Sequence, residues 1–263
     1  MKIISASQLF KPSSDGNLLF SHTQIIYRSE GRFYSAKSPY RKHSAGPLED
    51  IRIIPPEAYQ PILPPHSRIV CSNDATFTKT PNLSGFDGSD NLAYQVLQEL
   101  KTCEAILDCP HINLATFYGC TITDNRIAGL CFKWYPESLM TFVNPDHLNK
   151  STLLGSEERQ PARSQAADFL GGVEEGIRHL HKLAIVHNDI NPGNILITEN
   201  RVPVISDFDS SSCPGADISR VKRTYGWYDP NVLVAQESND FDALFELRVW
   251  LTGHSPSEFR FRE

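Results

Sequence analysis

The chain has 263 residues, of which 40% are hydrophobic and 21% are charged, and these proportions are those of an ordinary globular protein. Its formal net charge of −6 argues against nucleic-acid binding as the main task, because nucleic acids attract basic surfaces. The sequence contains no apolar run near the roughly 20 residues that a membrane-spanning helix needs. We therefore expect neither nucleic acid nor a membrane as a partner.

The cysteines carry little functional signal. They show no C-x-x-C pair and no accompanying histidine spacing, and they stand at positions 71, 103, 109, 120, 131 and 213. Separate, reduced thiols are typical of intracellular proteins, where disulfides are rare. We expect this protein in the cytoplasm or the nucleus.

The first 65 residues are interpreted as an N-terminal extension. Two strand-like runs, 24–28 and 32–35, flank the turn signal Ser29–Gly31 and predict a β-hairpin. Residues 39–65 then hold seven prolines, which favours an extended linker or an irregular wrap over a surface.

Two strands and a helix are predicted next. The runs Arg68–Cys71 and Ala75–Lys79 predict a second hairpin, with Lys79 at the end of its second strand. Ser89-Asp90 is a helix-start signal, and apolar residues at helical spacing predict a helix over 91–107. The apolar stripe consists of Leu92, Val96, Leu100, Cys103 and Ile106.

Two glutamates of this helix compete for its inward face. Glu99 flanks the apolar stripe, and apolar residues follow it at +1, +4 and +7, as that face requires. We therefore predict that Glu99 points inward, with Glu104 as the alternative.

Two further strands and a long helix follow. The strands 117–123 and 127–134 are joined by the turn dipeptide Asp124-Asn125. A later helix is predicted from a second apolar stripe, and it leads into a polar loop. Its Gly171 and Gly172 weaken it by about 1 kcal/mol each relative to alanine. The stripe consists of Ala166, Phe169, Leu170, Val173, Ile177 and Leu180.

The polar loop between Ile185 and Ile197 carries most of the chemical signal. Asp189 and Asn194 stand five positions apart, so a curled loop can aim both side chains at one point. An aspartate there can orient or deprotonate a hydroxyl nucleophile, and an amide oxygen can ligate Mg²⁺. The alternative is a polar loop whose Asx side chains only cap turns.

A second acidic group follows a neighbouring strand. Residues 202–206 are strand-like and end in Asp207-Phe208-Asp209. The loop and this tripeptide together resemble the catalytic loop and the metal-binding motif of the eukaryotic protein kinase family. The resemblance spans roughly residues 66 to 253. It includes Thr224–Asn231, which is similar to the family's substrate-docking stretch, and Asp240–Leu244, whose aspartate braces the catalytic loop in the family.

The resemblance implies an α+β fold of the two-lobed protein kinase type. A small β-rich N-lobe with one helix would be followed by a shortened, mainly helical C-lobe. The implied domains are an extension over 1–65, an N-lobe over 66–135 and a truncated C-lobe over 136–263.

The resemblance also implies roles for five side chains. Lys79 and Glu99 would position the phosphates of ATP, and Asp189 would orient the substrate hydroxyl. Asn194 and Asp207 would bind Mg²⁺. ATP and Mg²⁺ are thus the implied cofactors, and the implied partner is a protein substrate or a regulatory protein.

The resemblance implies an adenine site around the end of the strand predicted over 127–134. Phe132 would be the gatekeeper residue beside the base. The backbone of Lys133 to Tyr135 would hydrogen-bond adenine.

Four features depart from the family pattern. No G-x-G-x-x-G precedes Lys79. Asn188 replaces the arginine that, in the family, binds the phosphate of a phosphorylated activation segment. Asp209 replaces the glycine of D-F-G. Asn191 stands where serine/threonine kinases carry a lysine, and it cannot supply positive charge to the transferring phosphoryl group.

Three functions therefore stay open. The first is slow, ATP- and Mg²⁺-dependent phosphoryl transfer to a protein hydroxyl of the Ser/Thr type, favoured because all five functional groups are present. The second is a pseudokinase or scaffold, favoured by the departures and the short C-lobe. The third is a small-molecule phosphotransferase, since such enzymes share H-x-D-x-x-x-x-N, although the Thr224–Pro230 stretch counts against it.

Overall fold

The computed structural model describes residues 1–13, 17–42, 46–71, 73, 75–89 and 91–261. The chain forms two compact units, and its mixture of helices and strands is of the expected α+β class. The first unit comprises Met1–His66, Lys79–Leu97 and Ile122–Gly129, and the second comprises Ser67–Thr78, Gln98–Thr121 and Leu130–Glu263. In the described part of the chain, no helix combines the length and the apolar character that crossing a bilayer demands.

The first unit is built on an antiparallel sheet of four strands in the order β1-β2-β3-β4. The strands are β1 Lys2–Pro12, β2 Leu18–Ser29, β3 Arg32–Ser38 and β4 Glu49–Ile54. Ser29 pairs with Arg32 across a two-residue turn, Glu30 and Gly31, whose φ angles are 50° and 79°. Two positive φ angles suit the right-handed twist of a tight hairpin. The predicted hairpin is confirmed.

Strand β4 corrects the interpretation of residues 39–65 as a linker or irregular wrap. Proline removes a donor only at its own position, and the strand lies in the proline-free interval between Pro47 and Pro55. Lys37 of β3 supports it, because its Nζ lies 2.6 Å from Asp50 Oδ2. The prediction failed because it averaged composition over a stretch that contains a short regular strand.

Strand β2 buries apolar side chains on both faces of this sheet. Ile25 and Ile26 are adjacent in β2 and therefore point to opposite faces. Ile26 belongs to a cluster with Ile54 and Tyr59, whereas Ile25 packs with Tyr27 and Ala36.

The next elements along the chain are the first long helix and the strands of a three-stranded sheet, whose order is β5-β7-β6. The elements are β5 Thr76–Lys79, α1 Asn91–Asp108, β6 Phe117–Thr123 and β7 Arg126–Lys133. The predicted helix and both predicted strands are confirmed, and all five residues of the first apolar stripe are buried. The predicted helix-start residue Asp90 lies outside the described residues.

The second predicted hairpin is wrong. Ile69 forms an isolated parallel bridge with Cys120, and strand β5 has β7 as its neighbour. Alternation along a sequence indicates an extended segment but does not name its partner. Residues 68–71 therefore make their backbone contacts with a later strand.

The remaining strands and α-helices belong to the second unit. They are β8 Glu137–Ser138, α2 Leu139–Val143, α3 Lys150–Leu154, α4 Gln160–Arg163, α5 Ala166–Lys182, β9 Ile195–Ile197, β10 Pro203–Ile205 and α6 Glu237–Thr252. Strands β8, β9 and β10 form a sheet in the order β10-β9-β8. The predicted helix α5 is confirmed, and every residue of its apolar stripe is buried.

Gly172 in α5 has a packing role. A Cβ at this position would lie 2.6 Å from Pro203 Cγ and 2.7 Å from Asn113 Nδ2. Glycine destabilises a helix relative to alanine, but a larger residue here would prevent the close approach of α5 to β10.

Candidate active site

Asp240 fixes the backbone of the polar loop that follows α5. Its carboxylate is fully buried and accepts the N–H of His187 at 2.9 Å and the N–H of Asn188 at 2.8 Å. His181 Nε2 lies 2.8 Å from the same carboxylate. The bracing role that the resemblance implied for Asp240 is confirmed. The loop is thereby held before any ligand arrives.

Asp189 lies at the centre of this loop with both carboxylate oxygens engaged. Oδ1 accepts the backbone N–H of Thr224 at 2.7 Å. Oδ2 accepts the Thr224 hydroxyl and the Asn194 amide, each at 3.0 Å. The residue is 7% exposed. Burial raises the pKa of Asp189 above its ordinary range, and these hydrogen bonds oppose the rise.

Asn194 links the loop to the segment that carries Asp207. Its backbone carbonyl accepts the N–H of Ser206 at 2.8 Å and the hydroxyl of Ser206 at 3.0 Å. Asp207 follows directly, with a left-handed backbone of φ 62° and ψ 73°. The structure thus brings Asp189, Asn194 and the residue before Asp207 together.

The donor atoms at Asn194 and Asp207 suit Mg²⁺. The Asn194 amide nitrogen donates to the backbone oxygen of Asp189 at 2.9 Å as well as to its carboxylate, and Asn194 Oδ1 accepts no hydrogen bond from any residue that the structure describes. Amide and carboxylate oxygens are both hard donors, and Mg²⁺ is usually bound through one or two carboxylates together with substrate phosphates and water. In the described ranges, no group of three or more His, Cys, Asp or Glu side chains could hold a metal ion.

Comparison with known proteins decides the family. Residues 75–252, more than half of the chain, match the family described as Protein kinase domain. The chain belongs to this family.

Similar proteins carry the kinase name as well. The kinase domain is 30% identical to the G-type lectin S-receptor-like serine/threonine-protein kinase SD1-1 of Arabidopsis thaliana over 149 residues, which are 53% of this chain and 17% of that protein. It is 37% identical to the serine/threonine-protein kinase Tao of Drosophila melanogaster over 82 residues, 31% of this chain and 8% of the relative. It is 31% identical to human TAO3 over 154 residues, 59% of this chain and 16% of the relative. The chain therefore spans less than a fifth of the length of these relatives.

Asn191 of this kinase domain closes the loop onto itself. The residue is 4% exposed, and its amide nitrogen donates to the backbone oxygen of Asp189 at 3.0 Å and to Thr224 Oγ1 at 3.1 Å. Its amide oxygen accepts the N–H of Gly193 at 2.9 Å. The residue is neutral, and its polar atoms are used within the protein.

Asn188 also has a structural role. It adopts a left-handed backbone with φ 64°, a conformation in which asparagine is enriched. Its amide nitrogen donates to the carbonyl of Ser210 at 3.1 Å, and its amide oxygen accepts from Asn239 Nδ2 at 3.1 Å. The position that carries arginine in the family here ties the loop to its neighbours by neutral hydrogen bonds.

The candidate phosphate-positioning residues differ in burial. Glu99 of α1 is 4% exposed, and its competitor Glu104 is half-buried. Lys79 ends β5 and is half-buried. Lys79 lies in the first unit and Glu99 in the second, and their pairing remains a prediction.

Two of the three backbone N–H groups predicted to bind adenine already donate hydrogen bonds within the protein. The N–H of Lys133 donates to Thr116 O at 2.9 Å, and that of Trp134 donates to Ala75 O at 3.2 Å. The N–H of Tyr135 makes no hydrogen bond with the residues that the structure describes. Phe132 is buried, with its ring centroid 5.4 Å from that of Phe117. Of the three backbone donors, the one at Tyr135 is thus the candidate for binding a base.

Thr224 is the functional residue that sequence reasoning missed. It was recognised only as the first residue of a substrate-docking stretch, yet it makes two of the hydrogen bonds that hold Asp189. Its position at the start of that stretch, after Asp207, was the available signal.

Proposed function

We propose that this kinase domain transfers the γ-phosphoryl group of ATP to a serine or threonine hydroxyl of a protein. The observation that carries the proposal is the Asp189 carboxylate, which is buried, held by Thr224 and Asn194, and set in a loop that Asp240 braces. The names of the relatives, serine/threonine-protein kinases, favour a protein acceptor.

The chain's own groups divide the work. Asp189 orients the acceptor hydroxyl and takes up its proton. Asn194 and Asp207 hold Mg²⁺, which supplies positive charge to the phosphates when bound. The N–H of Tyr135 binds the adenine ring beside Phe132. The roles of Lys79 and Glu99 on the ATP phosphates, and the domains 1–65, 66–135 and 136–263, remain predictions.

A second function, nucleotide binding without transfer, has its own supporting observation. Both oxygens of Asp189 already accept hydrogen bonds from the protein, and the residue is 7% exposed. An acceptor hydroxyl must displace one of those contacts before it reaches the carboxylate. Incubation with radiolabelled ATP, Mg²⁺ and generic protein acceptors separates the functions, since only the first labels an acceptor.

Replacing Asn194 with alanine is expected to weaken Mg²⁺-dependent ATP binding at least about tenfold. Mutation of a residue that only supports a metal ligand typically lowers metal affinity 10- to 100-fold, and loss of a ligand itself should do no less. The measurement is the thermal stabilisation of the protein by ATP, with and without Mg²⁺. The exposed Asn200→Ala is the matched control and should behave as wild type. Equal Mg²⁺ dependence in both variants would exclude Asn194 as a metal ligand.

The raised pKa of Asp189 gives a pH dependence to both activity and stability. As the pH is lowered, the transfer rate should begin to fall while the pH is still above the ordinary aspartate pKa of about 3.9. The reason is that a carboxylate with a raised pKa becomes protonated at a higher pH, and the protonated form cannot take up the proton of the hydroxyl. The folded state holds this proton more tightly than the unfolded state, so the stability linked to it is complete below the ordinary value. That stability is lost as pH rises through the raised value.

The rate of wild type and the melting temperatures of wild type and Asp189→Asn, measured against pH, test this dependence, because the variant's side chain at position 189 cannot titrate. Wild type should lose stability relative to Asp189→Asn as pH rises through the raised value. A constant difference between the two melting curves would show that the pKa is not raised.

A further inference from the structure

Arg223 presents a guanidinium group whose hydrogen-bonding capacity is unused. Its Cζ lies 4.0 Å from the ring centroid of Tyr228, so the group is held by stacking on an aromatic face. Nε is enclosed by protein and has no hydrogen-bond partner, and no atom of the guanidinium makes a hydrogen bond or ion pair with the residues that the structure describes. A desolvated donor without a partner is unfavourable, and such a group calls for an explanation.

The position of Arg223 is fixed next to Asp189. Thr224 follows it directly and bonds Asp189 through both its N–H and its hydroxyl. Burial lowers the pKa of Arg223, while Tyr228, Asp189 and Asp229 oppose that change through their charges. The guanidinium thus lies within the electrostatic influence of the proposed catalytic carboxylate.

The loop lacks a cation at the position where the reaction needs one. Phosphoryl transfer places negative charge on the γ-phosphoryl oxygens, and a positioned positive group stabilises it. Asn191 is neutral, and both ends of its amide are engaged within the protein. A planar guanidinium suits phosphate oxygens because its donors form a fork.

We propose that Arg223 is a catalytic residue that binds the γ-phosphoryl group of ATP and supplies the positive charge that Asn191 lacks. The acceptor hydroxyl oxygen forms a bond to the γ-phosphorus while the bond to the β–γ bridging oxygen breaks. The electron pair of that bond leaves with ADP, the hydroxyl proton passes to Asp189, and Arg223 is unchanged. This inference rests on the proposed function, yet its binding step can be measured without turnover.

The binding test compares ATP with ADP by calorimetry in the presence of Mg²⁺, because only ATP carries a γ-phosphate. In Arg223→Met, which keeps an unbranched side chain over Tyr228, the affinity for ATP should fall about tenfold or more while that for ADP stays constant. Arg220→Met, which removes an exposed charge from the same segment, should change neither affinity. A thermal melt of each variant shows that it is folded.

The turnover test uses a charge transplant. Arg223→Met should lower radiolabel transfer by about 10²–10³-fold, and Asn191→Lys in that background should restore part of the rate. The inference is overturned if Arg223→Met lowers the affinities for ATP and ADP equally or changes neither. It is also overturned if the substitution weakens only the binding of an acidic peptide. If Arg223 selects ATP over ADP but no acceptor is labelled, the proposed transfer fails and γ-phosphate binding by Arg223 stands. A wild-type chain that binds neither nucleotide overturns both.

Discussion

Replacing Asp189 with asparagine is expected to lower phosphotransfer by about 10²–10⁴-fold, the range typical for the loss of one positioned acid–base group. The amide has nearly the shape of the carboxylate but cannot take up the proton of the acceptor hydroxyl. The N–H of Thr224 can still donate to the amide oxygen, so the loop retains one of its anchors. The measurement is radiolabel transfer from ATP to a generic protein acceptor at saturating Mg²⁺.

The matched control for this experiment is Asp146→Asn, which changes an exposed carboxyl group of the same unit. It should transfer phosphate at the wild-type rate. Affinity for ATP should stay within a few-fold of wild type in Asp189→Asn, because the carboxylate is proposed to act on the acceptor. Equal labelling by wild type and Asp189→Asn would overturn the catalytic role and leave nucleotide binding without transfer as the function.

The long helices could be predicted because their signal is local. Apolar residues at helical spacing defined α1 and α5, and each stripe residue is buried in the structure. Strand β4 escaped prediction because flanking prolines dominate the composition of that stretch. The true contact of Ile69 escaped because a strand pattern does not identify its partner, here Cys120.

The same limit applies to the candidate site. The proximity of Asp189 and Asn194 could be predicted because they stand only five positions apart in one loop, and their side chains do form a hydrogen bond. Thr224 lies 35 positions from Asp189, and nothing near either residue in the sequence specifies their contact. The unused guanidinium of Arg223 is visible only once its surroundings are known, since a lone arginine in a polar segment is usually solvated.

Lys150 shows how strongly such distant contacts hold the site. It lies 96 positions from Glu246, yet the two form an ion pair at 2.5 Å with side chains 4% and 0% exposed. Lys150 also donates to the carbonyl of Gly226 and lies 4.4 Å from the ring centroid of Trp227. The pair therefore fixes the stretch that begins with Thr224, and with it the hydrogen bonds to Asp189.

Replacing Lys150 with methionine is expected to destabilise the fold by about 3–5 kcal/mol, the usual cost of leaving one charge of a buried pair without its partner. The backbone N–H of Arg260 still donates to Glu246 Oε2 at 3.0 Å, which favours the lower end of that range. Activity should fall along with stability, because Gly226 loses the donor that anchors it. Urea denaturation gives the free energy of unfolding, and radiolabel transfer gives the activity.

The double variant Lys150→Met/Glu246→Gln separates the charge from the packing. Glutamine is neutral and its amide oxygen can still accept the N–H of Arg260, so the double variant should recover part of the stability that Lys150→Met loses. Lys182→Met removes an exposed lysine from α5 and should change the free energy of unfolding by less than about 0.5 kcal/mol. A double variant no more stable than Lys150→Met would mean that Lys150 acts through Gly226 and Trp227 alone. A Lys150→Met protein as stable as Lys182→Met would show that the ion pair does not hold the docking stretch.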